Sequence, residues 1–352
     1  TLQQEMAVQV LKLLNPEESF HSVQLRAKAK MCANDQLICH EEYCPFARDF
    51  YSKIHTSGIF SKLWDSWSTL LPDAIFGTAR DCEVCPFEVS LELSRKGQVV
   101  VCDYNYAFDP YVALTDFHAD NDLRDVILVI DEIHNLVGRG RGYFSPSLAS
   151  VDAIQAAEFM AQRREPVYAD ARDLCSSLAR LIDTSVENAL LDSTGDTVAI
   201  EAQLPEDGLW AIRPAFDEIF IDYLEHRRET SSLSAEDPFV DLYFKLLRFL
   251  DGLQLSSTDG DAFSHCVERG DRGARLRILC KDPSRFLGKV LNRVHSVIGL
   301  SATLSPSEFY RDLLGFDPER LSVLSVPSPF PSENRSVVID ATVTTLYRLR
   351  PH

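Results

Sequence analysis

Basic residues are scarce in this chain: 35 Lys and Arg stand against 53 Asp and Glu, a net charge of −18. Phosphate contacts need Lys and Arg, so this balance taken alone argues against a nucleic-acid binder. The deficit is uneven. Between Val151 and Ala262 there are 9 basic and 23 acidic residues, and the near-neutral remainder leaves room for a local basic track. No apolar run reaches the roughly 18 residues that a spanning helix requires, so no membrane partner is expected. No signal-peptide pattern opens the chain, and a cytoplasmic protein is the plain expectation. There is no repeat and no low-complexity tract. The motif Gly-x4-Gly-Lys-Ser/Thr, whose backbone cradles nucleotide phosphates, occurs nowhere. The opening Thr1-Leu2-Gln3-Gln4 lacks an initiator Met and reads as the middle of a domain.

What is present divides into pieces. The 352 residues are enough for two or three domains, and 45% of them are hydrophobic, enough for a sizeable core. Met6, Val10, Leu13 and Leu14 recur at helical spacing, which predicts a helix over Leu2–Leu14, stopped by Asn15-Pro16. A cysteine-rich stretch follows, with helical patterning around Phe46–Phe60 and Trp64–Leu71; Phe46, Tyr51, Trp64 and Trp67 are its candidate core. Gln98–Cys102 reads as a short buried strand and Val126–Ile130 as a stronger one. Continuous apolar strands belong to parallel sheets covered on both faces. Asp152 to about Leu255 is helical in pattern. Arg275–Leu279 and Val294–Leu300 return to strand character, which predicts one α/β layer interrupted by two insertions.

Asp131-Glu132-Ile133-His134 follows directly on the apolar run ending at Ile130. An acidic pair at a strand's carboxyl end sits where α/β sheets place ligands. Asp131 is the candidate Mg²⁺ holder beside phosphate oxygens, Glu132 the candidate for orienting or deprotonating an attacking water, and His134 a link to neighbouring motifs. The same four letters also suit a solvated turn capping a helix. Ser301-Ala302-Thr303 ends the second run, Val297–Leu300. Its hydroxyls, Ser301 and Thr303, suit hydrogen bonds across to the acidic residues; alone, the triplet is an ordinary cap.

Five of nine cysteines lie between positions 32 and 85. Cys32-x6-Cys39-x4-Cys44 precedes Cys82-x2-Cys85. Four thiolates bind zinc or an iron–sulfur cluster. Zinc sites usually show two close pairs, whereas only the last pair here is close, so the spacing favours a 4Fe-4S cubane. Zinc, or five unligated core thiols, remain the alternatives. Cys102, Cys175, Cys266 and Cys280 stand in apolar contexts and read as core thiols.

These segments together resemble the XPD/DinG-type, Rad3-related superfamily 2 iron–sulfur DNA helicases. Lys28-Ala-Lys-Met-Cys32, Tyr43-Cys-Pro-Phe-Ala-Arg48 and Cys85-Pro-Phe-Glu88 resemble that family's cluster domain. Val99–Tyr106 and Phe108-Asp-Pro110 resemble the strand after it. Asp131–His134 is a variant of the Asp-Glu-Ala-His box with Ile for Ala; Val297–Pro306 and Ser328–Arg335 resemble the end of the first motor domain. The resemblance implies an α/β, RecA-like parallel-sheet motor domain (1–23, 89–145 and 263–340) interrupted by a small helical iron–sulfur domain (24–88) and a mostly helical arch domain (146–262), with 341–352 starting a linker to a second motor domain. It implies cluster ligands Cys32, Cys39, Cys44 and Cys85, with Cys82 open as a replacement for Cys39 or Cys85. It further implies ATP and Mg as cofactors, coupling through Ser301 and Thr303, and 5′ to 3′ movement on single-stranded or forked DNA by a monomer in DNA repair or replication. Arg26, Lys28 and Lys30 are the candidate DNA contacts; Tyr104 and Tyr106 either stack on bases or pack. The phosphate loop and the arginine motif of the second motor domain are both missing from the sequence, so the stretch is expected to lack ATPase activity by itself. A non-catalytic DNA-binding or protein-docking module and a zinc-stabilised structural domain are the other function classes.

Overall fold

The structure is a computed structural model that describes residues 2–34, 37, 39, 41, 43–117, 122–191, 198–230, 236–270, 273–334, 336–338 and 340. The chain forms two compact units, Thr1–Phe316 and Asp317–His352. The second holds two short 3₁₀ turns, Pro318–Arg320 and Ser332–Asn334. Arg335 and the expected linker, 341–352, lie outside the described residues.

The first unit opens with α1 (Leu2–Leu14), the helix read from its periodicity. Its Met6, Val10, Leu13 and Leu14 are nevertheless exposed, and Val8 is the residue it buries. Next come β1 (Ser22–Gln24), α2 (Lys28–Met31), α3 (Phe50–Thr56), α4 (Ile59–Trp64), β2 (Thr69–Leu70), α5 (Pro72–Asp81), α6 (Pro86–Ser94) and β3 (Val99–Val101). The strands form a parallel sheet in the order β2-β1-β3. Trp64–Leu71 is therefore not a helix. α4 stops at Trp64, β2 pairs Thr69 and Leu70 with Ser22 and Val23, and a new helix restarts at Pro72, whose missing N–H costs nothing at a first turn.

The core beneath this sheet is aliphatic. Ile54, Ile59, Leu63, Leu70, Ile75, Val89 and Leu93 pack with Val23, Leu25 and Met31. Tyr51 and Trp67 are exposed, and Phe46 stands outside this core. Trp64 packs on the core's margin, its ring stacked on His21 at 4.3 Å. The branched side chains recur at helical spacing on the inward faces of α3–α6, so the larger rings fall outside.

After α7 (Asn105–Phe108), β4 (Ile127–Ile130) leads into α8 (His134–Tyr143). β4 pairs in parallel with β9 (Ser296–Gly299), in register from Ile127–Ser296 to Ile130–Gly299. Leu128 and Ile130 pack with α8, α13 (Ser284–Leu291) and α14 (Ser307–Leu314). Ile127 and Val129 are 57% and 65% exposed, so this apolar strand is covered on one face, not two. The chain is α/β, with parallel strands in two separate ladders of three and two.

Between α8 and α13 lies a helical insertion: β5 (Ser147–Ala149), α9 (Ser150–Ala161), α10 (Pro166–Ala189), β6 (Val198–Glu201), α11 (Glu206–Glu229), α12 (Pro238–Thr258), β7 (Phe263–Gly270) and β8 (Gly273–Cys280). Its strands make an antiparallel sheet in the order β5-β8-β7-β6. The strand over Arg275–Leu279 thus belongs to this insertion and not to the parallel layer. Leu276, Ile278 and Cys280 face one core with the inward faces of the four helices, while Arg277 on the opposite face reaches Glu268 at 3.2 Å. Among the described residues no helix is long and apolar enough to cross a membrane.

Candidate functional site

Parallel pairing of β4 with β9 brings the ends of two strands side by side, and with them the two short motifs. The ladder continues past both strands: the Leu300 N–H donates to the Ile130 carbonyl at 2.9 Å, and the Ile133 N–H to the Leu300 carbonyl at 3.0 Å. This leaves His134, first residue of α8, facing Ser301. Their Nδ1 and Oγ atoms are 2.8 Å apart, and Glu132 Oε2 lies 3.1 Å from the same Nδ1. Ser301 Oγ also accepts from the Thr303 N–H at 3.0 Å and stands 3.4 Å from Thr303 Oγ1. Asp131 is exposed, with its Oδ1 accepting from the Glu132 N–H at 3.0 Å. Five residues proposed from two distant stretches of sequence are therefore neighbours.

Glu132 adopts a left-handed backbone, φ 48°, a conformation that costs a non-glycine residue about 1 kcal/mol or more. Tyr104 supports it. Its hydroxyl donates to the carbonyls of both Asp131 and Glu132, the latter at 3.1 Å. Burial, then the nearby Asp131 and Glu132 charges, raise the Tyr104 phenol above its ordinary pKa, with Arg139 opposing. Tyr104 is thus bound to the acidic box. Tyr106 is 5% exposed and donates to the Arg26 carbonyl, so it packs. No sequence signal tied Tyr104 to residues 131–132, because the contact spans 27 positions.

The cysteines frame a second site. Cys32, Cys39, Cys44 and Cys85 line one cavity of about 210 Å³, together with Lys28, Phe46, Phe50, Tyr51, Phe87 and Glu88. Proline at the first position of α6 leaves Cys85 at its N-cap. Burial raises the Cys85 thiol pKa, and the Glu88 and Cys39 charges add to this; the Glu88 and Phe87 N–H groups pull the other way. Lys28 stands among Cys39, Cys85 and Glu88. Burial works against its charge, yet those groups together hold its ammonium above the ordinary value. Among the described residues no three His, Cys, Asp or Glu side chains converge as they would on a single ion. The four thiols instead surround a space. That suits a body of several metal atoms, each taking one thiolate, and a cation beside the thiolates fits such a group's negative charge. Cys82 does not line this cavity; the Lys62 ammonium lies 3.7 Å from its sulfur.

The remaining cysteines are interior or strand thiols. Burial pushes Cys102 and Cys175 up to about 12 and Cys280 to about 11. Of the three candidate DNA contacts, Arg26 pairs with Asp73 at 2.7 Å, Lys28 faces the thiol cavity, and Lys30 is exposed.

Residues 7–152 match the DEAD_2 family. The chain is 25% identical over 289 residues to the general transcription and DNA repair factor IIH helicase subunit XPD of Schizosaccharomyces pombe, covering 66% of this chain and 37% of that protein. It is 21% identical over 326 residues to the ATP-dependent DNA helicase CHL1 of Eremothecium gossypii, covering 82% of this chain and 38% of that protein. A solved structure titled XPD_Helicase aligns with 85% of this chain and 48% of its own at 18% identity, with a TM-score of 0.49. The chain spans less than two fifths of the length of both curated relatives.

Proposed function

We infer that the chain is an XPD/Rad3-type helicase superfamily member, on its DEAD_2 match and its XPD and CHL1 relatives, and propose that it is the cluster-bearing core of an ATP-dependent DNA helicase acting in DNA repair or replication. It moves 5′ to 3′ on single-stranded DNA and opens forks. The observation that carries the reading is the 2.8 Å contact between His134 and Ser301, with Glu132 on the same imidazole nitrogen. A box that handles a nucleotide is thereby joined to the neighbouring strand end, which is what coupling hydrolysis to movement requires. In this reading Asp131 holds Mg²⁺ beside the phosphates, which lends charge to offset the phosphate oxygens. Glu132 orients or deprotonates the attacking water. His134, Ser301 and Thr303 relay nucleotide state.

The sequence contains no phosphate loop, so the 352 residues by themselves do not hydrolyse ATP; that activity belongs to a longer chain. Cys32, Cys39, Cys44 and Cys85 hold a 4Fe-4S cluster, with Lys28 beside it. Of the basic trio, exposed Lys30 is left for a phosphate contact. The motor domain comprises 1–23, 89–145 and the region around β9, and the cluster domain 24–88. The arch-like insertion extends to about Asp282, because β7 and β8 share its sheet and core. Glu132→Gln in the longer enzyme tests the reading. It keeps the shape of the side chain and removes its basicity, so nucleotide binding stays within about twofold while turnover falls by about 10²-fold or more. Normal turnover in that variant removes Glu132 from the reaction.

A further inference from the structure

The acidic box carries its one apolar residue, Ile133, between Glu132 and His134. Although both neighbours are partly exposed, Ile133 is 2% exposed. It lies over Gly299, the last residue of β9. A Cβ on Gly299 would stand 2.7 Å from Ile133 Cδ1 and 3.1 Å from its Cγ2. The first distance is shorter than real Cβ contacts and the second is tight, so glycine leaves a notch in β9 that the isoleucine fills. The notch lies two residues before Ser301, and the Ile133 N–H bonds the carbonyl of the residue between them, Leu300. The residue after Ile133 is His134. Wedge and notch thus sit beside the contact that joins the two motifs, and neither is part of it.

We propose that Ile133 seated over Gly299 is a positioning pair that fixes the His134–Ser301 contact and, through His134, the placement of Glu132. Isoleucine is stiff at χ1, which fixes Cγ2 over the notch, and with the side chain 2% exposed Cδ1 has little room to turn away about χ2. Close-packed interiors register a single added methyl group. Filling the notch therefore pushes Ile133 outward, and His134 moves with it. Emptying the wedge at the same time removes the clash. The structural claim stands on the packing; its catalytic consequence rests on the helicase reading above.

The test uses this chain labelled with ¹⁵N at histidine. The imidazole resonances of His134 are assigned by their loss in His134→Gln, and thermal melting reports the fold. Gly299→Ala shifts the His134 Nδ1 resonance away from its wild-type position, and Ile133→Ala with Gly299→Ala returns it, even though the double variant melts below wild type. A folded Gly299→Ala chain with an unshifted resonance overturns the proposal, as does a folded double variant whose resonance stays displaced. If Gly299→Ala does not fold, Ile133→Val, which withdraws Cδ1 alone, replaces it: a shifted resonance supports the pairing and an unshifted one overturns it. In the longer enzyme, Gly299→Ala lowers kcat by about 10²-fold with little change in KM, the effect of misplacing reacting groups by about 1 Å, and the double variant recovers most of it. Resonance shifts that follow the pattern while turnover stays unaffected overturn the claim that the pair places Glu132; turnover unaffected in both Gly299→Ala and Glu132→Gln overturns the helicase reading itself.

Discussion

Cys82 and Cys85 are three residues apart and face different surroundings. Cys82 is the C-cap of α5, with the Lys62 ammonium 3.7 Å from its sulfur and the aliphatic core behind it. Cys85 is the N-cap of α6, beside the backbone donors of Phe87 and Glu88, and opens into the cavity shared with Cys32, Cys39 and Cys44. Spacing alone left the choice between them open; the turn of chain between α5 and α6 aims them differently. Cys85→Ser is therefore expected to remove most of the iron and sulfide from anaerobically purified protein. Cys82→Ser, like Cys175→Ser in the helical core, is expected to leave both at wild-type levels. Equal iron loss in the Cys82 and Cys85 variants would show that the ligand set is drawn wrongly, and zinc without iron in the wild type would replace the cluster with a structural metal.

At the scale of elements, legibility followed the strength of the local pattern. β4 was readable as five apolar residues ending in charge, and the long helices α10 to α12 from their periodicity. β8 was misplaced although its signal was present: Ala274, Leu276, Ile278 and Cys280 alternate with Arg275 and Arg277, which marks a strand with unlike faces in an antiparallel sheet and not one buried on both. The wedge of Ile133 and the brace of Tyr104 had no such local signal, since both depend on which segments the fold brings together. The junction of α11 and α12 is another case. Asp237 Oδ2 accepts from Arg227 Nη1 at 2.8 Å and from the Tyr223 hydroxyl at 2.8 Å, while its Oδ1 accepts from the Phe239 and Val240 N–H groups at the start of α12. One carboxylate therefore caps a helix and neutralises an arginine that is 1% exposed. Breaking such a buried pair costs about 3–5 kcal/mol, with about 1 kcal/mol more for the lost cap. Asp237→Ala should lower the urea midpoint of the helical insertion accordingly. Asp237→Asn, which keeps an oxygen for the cap, should fall between. A loss under about 1 kcal/mol in the alanine variant would mean that Arg227 is satisfied without Asp237.

Among the described residues of the first unit, apolar side chains fall into three separate cores: one inside the helical insertion, one under the β2-β1-β3 sheet, and one around β4, α8, α13 and α14. None contains Cys32, Cys39, Cys44 or Cys85. The segment from Lys28 to Arg48 is held differently. Apart from α2, which is four residues long, its described residues are held by turns such as the Ala47 and Arg48 N–H bonds to the Cys44 carbonyl, by the Tyr43 hydroxyl donating to the Arg228 carbonyl at 2.7 Å, and by side chains gathered at the thiol cavity. Binding energy at a metal site is folding energy for whatever the site alone holds together. Chelation or oxidative loss of the metal should therefore release this segment and little else. Amide hydrogen exchange checks it: protection should fall by about 10²-fold or more around residues 43–48, stay within about threefold across α4 to α6, and not change in α9 to α12, because opening there is governed by cores that contain no ligand. Release of α4 to α6 together with the cysteine segment would mean that the thiols, and not Ile59, Leu63, Ile75 and Leu93, hold the small domain together.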